Sequence, residues 1–142
     1  MLVQLLYASR PVPALAASQI ESILEQSRRN NPRLGVTGIL CFTSEVFIQV
    51  LEGGRDEVCE LFNGIVRDDR HRDARLLVYD EVSERSFSNW TMGQVDISKI
   101  NPGLLLKYSK RPTLDPFSGS GHVTMALIDE LVASASIMGR SS

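Results

Sequence analysis

The chain is poor in cysteine, in long apolar runs and in net charge, and each shortage removes a class of protein. Two cysteines, Cys41 and Cys59, cannot build a disulfide framework. With His71 and His122 they match no zinc spacing, and Asp68 and Asp69 are a weak metal candidate on a loop, so no metal site is expected. Apolar runs such as residues 104–106 and 76–78 fall far short of the roughly 20 residues of a membrane span. The start has no basic stretch before its apolar run and is too short for a signal peptide. Fifteen Lys and Arg against seventeen Asp and Glu give a net charge of −2, too balanced to predict nucleic-acid or anionic-membrane binding. Neither the phosphate loop of nucleoside triphosphatases nor the glycine fingerprint of dinucleotide folds occurs, and Gly53-Gly54 reads as a turn. No paired carboxylates and no Ser–His–Asp order emerge. The expectation is a cytoplasmic protein that is not an enzyme.

What is present is an ordinary globular balance. The 142 residues are 43% hydrophobic and 23% charged, enough for one domain with a real core. Residues 1–9 alternate Val3, Leu5 and Tyr7 with Leu2, Gln4 and Leu6, so both faces are mostly apolar and a central strand is expected. Ser18 and Glu21 have capping-box spacing, and Ile20, Ile23, Leu24 and Ser27 share one face of a helix. Asn30-Asn31-Pro32 is expected to end it. Strands follow at residues 35–42 and 45–51, joined by a turn at Thr43-Ser44, and Gly53-Gly54 stops the second. A helix over 56–66 sets Val58, Leu61, Phe62 and Ile65 on one face. Residues 68–72 read as a charged loop, 74–79 and 90–95 as strands, and 104–108 as a short helix. A Pro/Gly/Ser-rich linker over 110–121 precedes an amphipathic helix over 123–138.

This order predicts an α+β, ferredoxin-like β-α-β-β-α-β sheet with an added fifth strand. The first and third strands should be central neighbours. The two longer helices should cover one face, and the two C-terminal helices the other. Residues 1–97 form the main unit, and residues 98–142 a helical extension packed on the same domain.

Several residues do not fit a plain core. Gln49 is the one polar side chain in the stretch Phe47-Ile-Gln-Val-Leu51 of the third strand, and an unpaired buried amide costs on the order of 1–3 kcal/mol. Tyr7 on the neighbouring strand is its candidate partner, either as a structural pair or as part of a site. Asn31 at the end of the first helix is either a cap or a polar group facing the same space. Ser27 lies one turn upstream. Ile23 and Ile65 sit on the inner faces of the two helices. Together these describe a slot with apolar walls and a few directed polar groups, the composition of a site for a flat heteroaromatic ligand. Arg70 and His71, beside Asp68, are either a solvated cluster or contacts to that ligand. Trp90 and Met92 are expected on one face of the last strand, most simply as a packing lid.

The sequence resembles the BLUF family, blue-light sensors that use a flavin. The likeness rests on Leu5-Leu-Tyr-Ala-Ser9, Ser27-Arg-Arg-Asn-Asn31, Gly35-Val-Thr-Gly-Ile-Leu40, Phe47-Ile-Gln-Val-Leu-Glu-Gly53, Asp68-Asp-Arg-His71 and Phe87-Ser-Asn-Trp-Thr-Met92, and covers about residues 1–95. Leu106-Lys-Tyr-Ser109 and the last helix are similar to the short single-domain members. By resemblance, Tyr7 is the photoactive tyrosine and Gln49 the switching glutamine. Asn31 binds the C4 carbonyl and N3 edge of the flavin, and Ile23 and Ile65 sandwich its ring. Trp90 and Met92 are the pair that exchanges places near the glutamine. Asn30, Asp68, Arg70 and His71 lie near the ribityl chain or the C2 carbonyl. Gly64 stands where some members carry an arginine or histidine, which leaves Arg70 or His71 as donor to that carbonyl.

The implied cofactor is FAD, with FMN and riboflavin as alternatives. The implied partner is a separate effector protein, bound by a homo-oligomer without nucleic acid or membrane. Two rival readings remain at the level of sequence. One is a small flavin oxidoreductase. The other is a ligand-free ferredoxin-like interaction module in which Tyr7 and Gln49 are only structural.

Overall fold

Strand β1 (Leu2–Pro11) carries the alternation seen in the sequence and is buried on both faces. The computed structural model describes residues 1–12, 17–133 and 138–140, the side chains of residues 17–19 and 138–140 excepted. After β1 come α1 (Ala17–Leu34), β2 (Thr37–Phe42), β3 (Phe47–Gly54), α2 (Arg55–Arg67), β4 (His71–Val82) and β5 (Trp90–Asp96). A 3-10 turn at Ile97–Lys99, α3 (Pro102–Tyr108), α4 (Gly121–Ala133) and the short β6 (Met138–Arg140) complete the described chain. The sheet order is β4-β1-β3-β2-β5-β6. Among the described strands, only β2 and β5 pair in parallel. The ferredoxin-like arrangement and the added fifth strand are as expected, and β6 extends the sheet by one short strand.

The two faces of the sheet bury two separate clusters. Val3, Leu5 and Tyr7 of β1 join Leu24, Leu40, Phe47, Leu51, Val58 and Met92 on the side of α1 and α2. Leu6 and Ala8 join Ile39, Cys41, Ile48 and Val50 on the other side, under Leu105 of α3 and Leu127, Ile128 and Leu131 of α4. The C-terminal helices therefore cover the face that α1 and α2 leave open. Gly121 lets α4 begin against β4, because a Cβ there would stand 2.5 Å from the Leu77 carbonyl. Lys107 and Tyr108 of α3 both bond the Glu130 carboxylate of α4.

Several boundaries differ from the sequence expectation. Helix α1 begins at Ala17, ahead of the expected cap at Ser18, and runs through Pro32 to Leu34. Gly35, at φ +69°, ends it in a Schellman motif. Val36 N–H bonds the Asn31 carbonyl at 3.0 Å and Gly35 N–H bonds the Pro32 carbonyl at 3.3 Å. Proline in the last turn forfeits one backbone bond, and the glycine decides the end. Gly53-Gly54 do not stop β3 but are its last residues. Strand β4 starts at His71, because the pairing with β1 reaches Pro11, so the last two residues of the expected charged loop, His71 and Arg72, are strand.

Met138 lies in β6 and not in the last helix, which ends at Ala133; residues 134–137 of that expectation fall outside the described residues. The stretch after α3 is fastened rather than loose. The Arg10 guanidinium lies 4.0 Å from the Phe117 ring centroid, and Leu114 and Phe117 pack on the α4-side core.

Candidate functional site

A cleft of about 290 Å³ opens between α1, α2 and the sheet. That is near the lower end of small-molecule sites, which run about 300–1,000 Å³, so it suits a ring system with the rest of a ligand leaving through the open side. Every candidate binding residue of the sequence lines it: Tyr7, Ile23, Ser27, Asn30, Asn31, Gln49, Ile65, Asp68, Arg70 and His71. Ile23 projects from α1 and Ile65 from α2, both partly buried on the Tyr7-side core. The sequence reading did not assign Gln26, Leu40, Glu60 or Leu61 to the lining. Alternation along β2 could have given Leu40, and the α2 stripe Leu61. Gln26 and Glu60 are exposed at the mouth and carry no such signal.

The floor of the cleft is a buried relay. Tyr7 and Gln49 are direct partners in the β1–β3 register. The Tyr7 hydroxyl donates to Gln49 Oε1 at 2.5 Å, and Gln49 Nε2 donates to Met92 Sδ at 3.4 Å. A thioether sulfur only accepts whereas a phenol does either, so Met92 draws the amide nitrogen to itself and leaves Oε1 to the Tyr7 hydroxyl. Burial, with Asp68 adding to it, pushes the Tyr7 phenol well above its usual range. The tyrosine is therefore neutral at any physiological pH. Its ring is tilted against Phe62 at 5.4 Å and edge-on to His71 at 6.4 Å.

Asn31 is 2% exposed and sits inside α1, so it does not cap the helix terminus. Its Nδ2 donates to the Thr91 carbonyl of β5 at 3.2 Å. An amide nitrogen carries two hydrogens, so one N–H and the carbonyl are beyond what that bond uses. Asn30 accepts from Arg33 at 2.9 Å.

Asp68 follows α2 and takes the Arg70 guanidinium through Nε and Nη2, and Arg70 also reaches Gln26 at 3.4 Å. The hydrogen bonds from Arg70 hold the Asp68 carboxyl below its usual range. His71 bonds the Ile65 carbonyl through Nε2 at 2.5 Å and Ser9 Oγ through Nδ1 at 2.7 Å. A carbonyl only accepts, so Nε2 carries the hydrogen, and both ring nitrogens are committed to protein groups.

Trp90 and Met92 do not share a face. Met92 is fully buried in the cleft-side cluster and touches Gln49, whereas Trp90 packs with Phe87 in the cluster beneath α3 and α4. Strict alternation fails because β5 pairs with β2 only from Gly93 onward and its pairing with β6 is irregular between Trp90 and Gln94. Trp90 is thus away from the cleft, and Met92 is the strand's contact to the relay. No group of three or more His, Cys, Asp or Glu residues suited to a metal occurs among the described residues. No described helix is long and apolar enough to cross a membrane.

The family model for BLUF domains, sensors of blue light using FAD, matches residues 2–93. The blue light- and temperature-regulated antirepressor BluF of Escherichia coli (strain K12) is 32% identical over 97 residues, 68% of this chain and 24% of its own length. Photoactivated adenylate cyclase subunit beta of Euglena longa is 29% identical over 92 residues. The match spans 64% of this chain and 11% of that protein, so the chain spans about a tenth of the length of that curated relative. Among solved structures, the photo-activated state of BlsA superposes with a TM-score of 0.83 at 28% identity, covering 93% of this chain and 95% of the other. The dark state of BlrB, described as a BLUF protein, gives 0.76 at 32% identity, with 94% and 96% covered. The chain belongs to the BLUF family, sensors of blue light using FAD.

Proposed function

We propose that the chain is a blue-light photoreceptor that holds one flavin non-covalently between α1 and α2 and signals through Tyr7 and Gln49. The observation that carries this reading is the buried Tyr7–Gln49–Met92 relay at the floor of an isoleucine-walled cleft. Ile23 and Ile65 would hold the ring between them. Asn31 would bind its polar edge with the groups that Thr91 leaves over. Ser27, Asn30 and Asp68 would face the ribityl chain. Arg70 is the donor of choice for the C2 carbonyl, since both nitrogens of His71 are taken. The charged side chains along the cleft are Glu60, Asp68 and Arg70, and this set does not favour extra phosphate. FAD is the cofactor named by the family, and FMN and riboflavin belong in the same binding test.

Bound and excited by blue light, the flavin supplies a strong oxidant. Tyr7 is the electron donor. Because burial keeps its phenol protonated, loss of an electron goes with loss of the proton, and Gln49 Oε1 stands in line to receive it. Gln49 can then hold a new hydrogen-bond pattern, because its amide is both donor and acceptor. The Met92 sulfur cannot donate, so a reversed amide gives up that contact, and β5 feels the change. From there the reading takes the signal to a separate effector protein bound by a cytoplasmic homo-oligomer, with no enzymatic activity, nucleic acid or membrane involved.

Purified protein should be yellow and should show a reversible red shift in blue light without any substrate. Colourless protein that takes up no added flavin would sink the reading and leave the interaction module. A spectrum that changes only with a substrate would favour the oxidoreductase.

Asn31→Ala is a graded test of the same site. It removes bonds to a buried ring edge, each worth about 0.5–1.5 kcal/mol net. Flavin affinity, measured by fluorescence titration, should fall about ten-fold or somewhat more. Unchanged affinity would show that Asn31 does not face the ligand.

A further inference from the structure

Glu52 is a carboxylate with 0% exposure that the relay does not use. A group that deep must be paired, and its partners are N–H donors. Oε2 takes Gln4 Nε2 at 2.8 Å and the Ser86 amide at 2.9 Å, and Oε1 takes the Phe87 amide at 2.7 Å. Gln4 on β1 and Thr37 on β2 are its direct cross-strand partners, so the three form one polar row across the sheet. Arg85 crosses the same row. Its guanidinium bonds Thr37 Oγ1 at 2.9 Å, the Glu52 carbonyl at 3.2 Å and the Gly35 carbonyl at 2.6 Å. Residues 85–87 are thereby fastened to the sheet from both ends of Glu52.

The anchor sits just upstream of the side chains that flank the relay. The Phe87 carbonyl accepts from the Trp90 amide at 3.1 Å, and the two rings stand 6.4 Å apart. Phe87 is 1% exposed. With Phe87 fixed, Trp90 is drawn into the cluster under α4, and Met92 falls beside Gln49. Because β5 pairs with β2 only from Gly93, the placement of residues 90–92 depends on anchors ahead of that ladder.

We infer that Glu52 is a positioning residue: by holding the Ser86 and Phe87 amides it keeps Trp90 away from the relay and Met92 against Gln49, and so sets how long the light-switched state at Gln49 lasts. This rests on the photoreceptor reading for the lifetime, but not for the placement of Trp90.

The test uses the fact that Trp90 is the sole tryptophan of the chain. Glu52→Gln keeps the shape but turns an NH2 group toward N–H donors, so at least one bond is lost. Arg85→Ala loosens the same loop from the outside and serves if the first variant does not fold. Without flavin, both folded variants should show red-shifted Trp90 emission and several-fold easier quenching by acrylamide. With flavin, both should retain the red shift and change the dark-recovery rate several-fold. Unchanged Trp90 emission and quenching in folded variants would overturn the assignment of Glu52. Altered emission with an unchanged recovery rate would overturn its link to the switch. A protein that takes up no flavin would sink the photoreceptor reading, while the emission measurement would still decide the anchor.

Discussion

Gln49→Leu is expected to bind flavin and to show no red shift in blue light. Leucine fills nearly the same volume, and the isoleucine walls and Asn31 are untouched. The amide that links Tyr7 to Met92 is gone, however, and with it the one group in the relay whose donor and acceptor atoms can trade places by rotation. The Tyr7 hydroxyl is left buried without that acceptor, which costs about 1–3 kcal/mol, so the melting temperature should fall as well. Tyr7→Phe should likewise bind flavin and stay dark, because it removes the donor and keeps the ring packed against Phe62. Difference absorption spectra before and after illumination, with thermal melts as a check on folding, measure both. A normal red shift in a folded Gln49→Leu protein would place the signal outside this relay.

Removing α4 should cost the fold, and not only the output. Leu127, Ile128 and Leu131 are each 2–3% exposed and cover the sheet face of Leu6, Ala8 and Ile48. At about 1.5–3 kcal/mol for each side chain, their burial contributes about 5–9 kcal/mol as an upper estimate. The whole stability of a domain is about 5–15 kcal/mol. A chain ending at residue 120 is therefore expected to aggregate, or to lose its cooperative melt, as read by circular dichroism and sizing. A monodisperse truncated protein with a native melt would show that α4 adds little to the core. Output is consequently better probed by changes at exposed positions such as Leu106 and Val123, which are 51% and 41% exposed, than by deletion.

Much of this was legible in the chain because it depends on neighbours within a turn or two. The alternation in β1 and the stripe Val58, Leu61, Phe62 and Ile65 in α2 are local patterns, and both appear where periodicity puts them. Tyr7 and Gln49 stood out because each is polar in an apolar stretch, and Asn31 by its place at the end of the first helix, and all three line the cleft. The family resemblance added roles to these positions. On the residues alone, a structural pair and a helix cap were the simpler readings. Glu52 was missed because its partners lie 34, 35 and 48 residues away, and a single glutamate at a strand end gives no local signal.

The sequence by itself determined the order and type of the main elements, the two apolar faces of the sheet and the polar residues that needed partners. The tertiary structure decided which partners they found. It set Tyr7 directly opposite Gln49, committed His71 to Ile65 and Ser9, and carried α1 through Pro32 to a glycine stop. It also turned Met92 to the relay and Trp90 to the other core. The physical reason is the range of the interactions. Periodicities of 2 and 3.6 residues are written in adjacent positions. Register, strand irregularities and the pairing of buried polar groups are chosen only when both faces of the sheet are buried together, by contacts between residues dozens of positions apart.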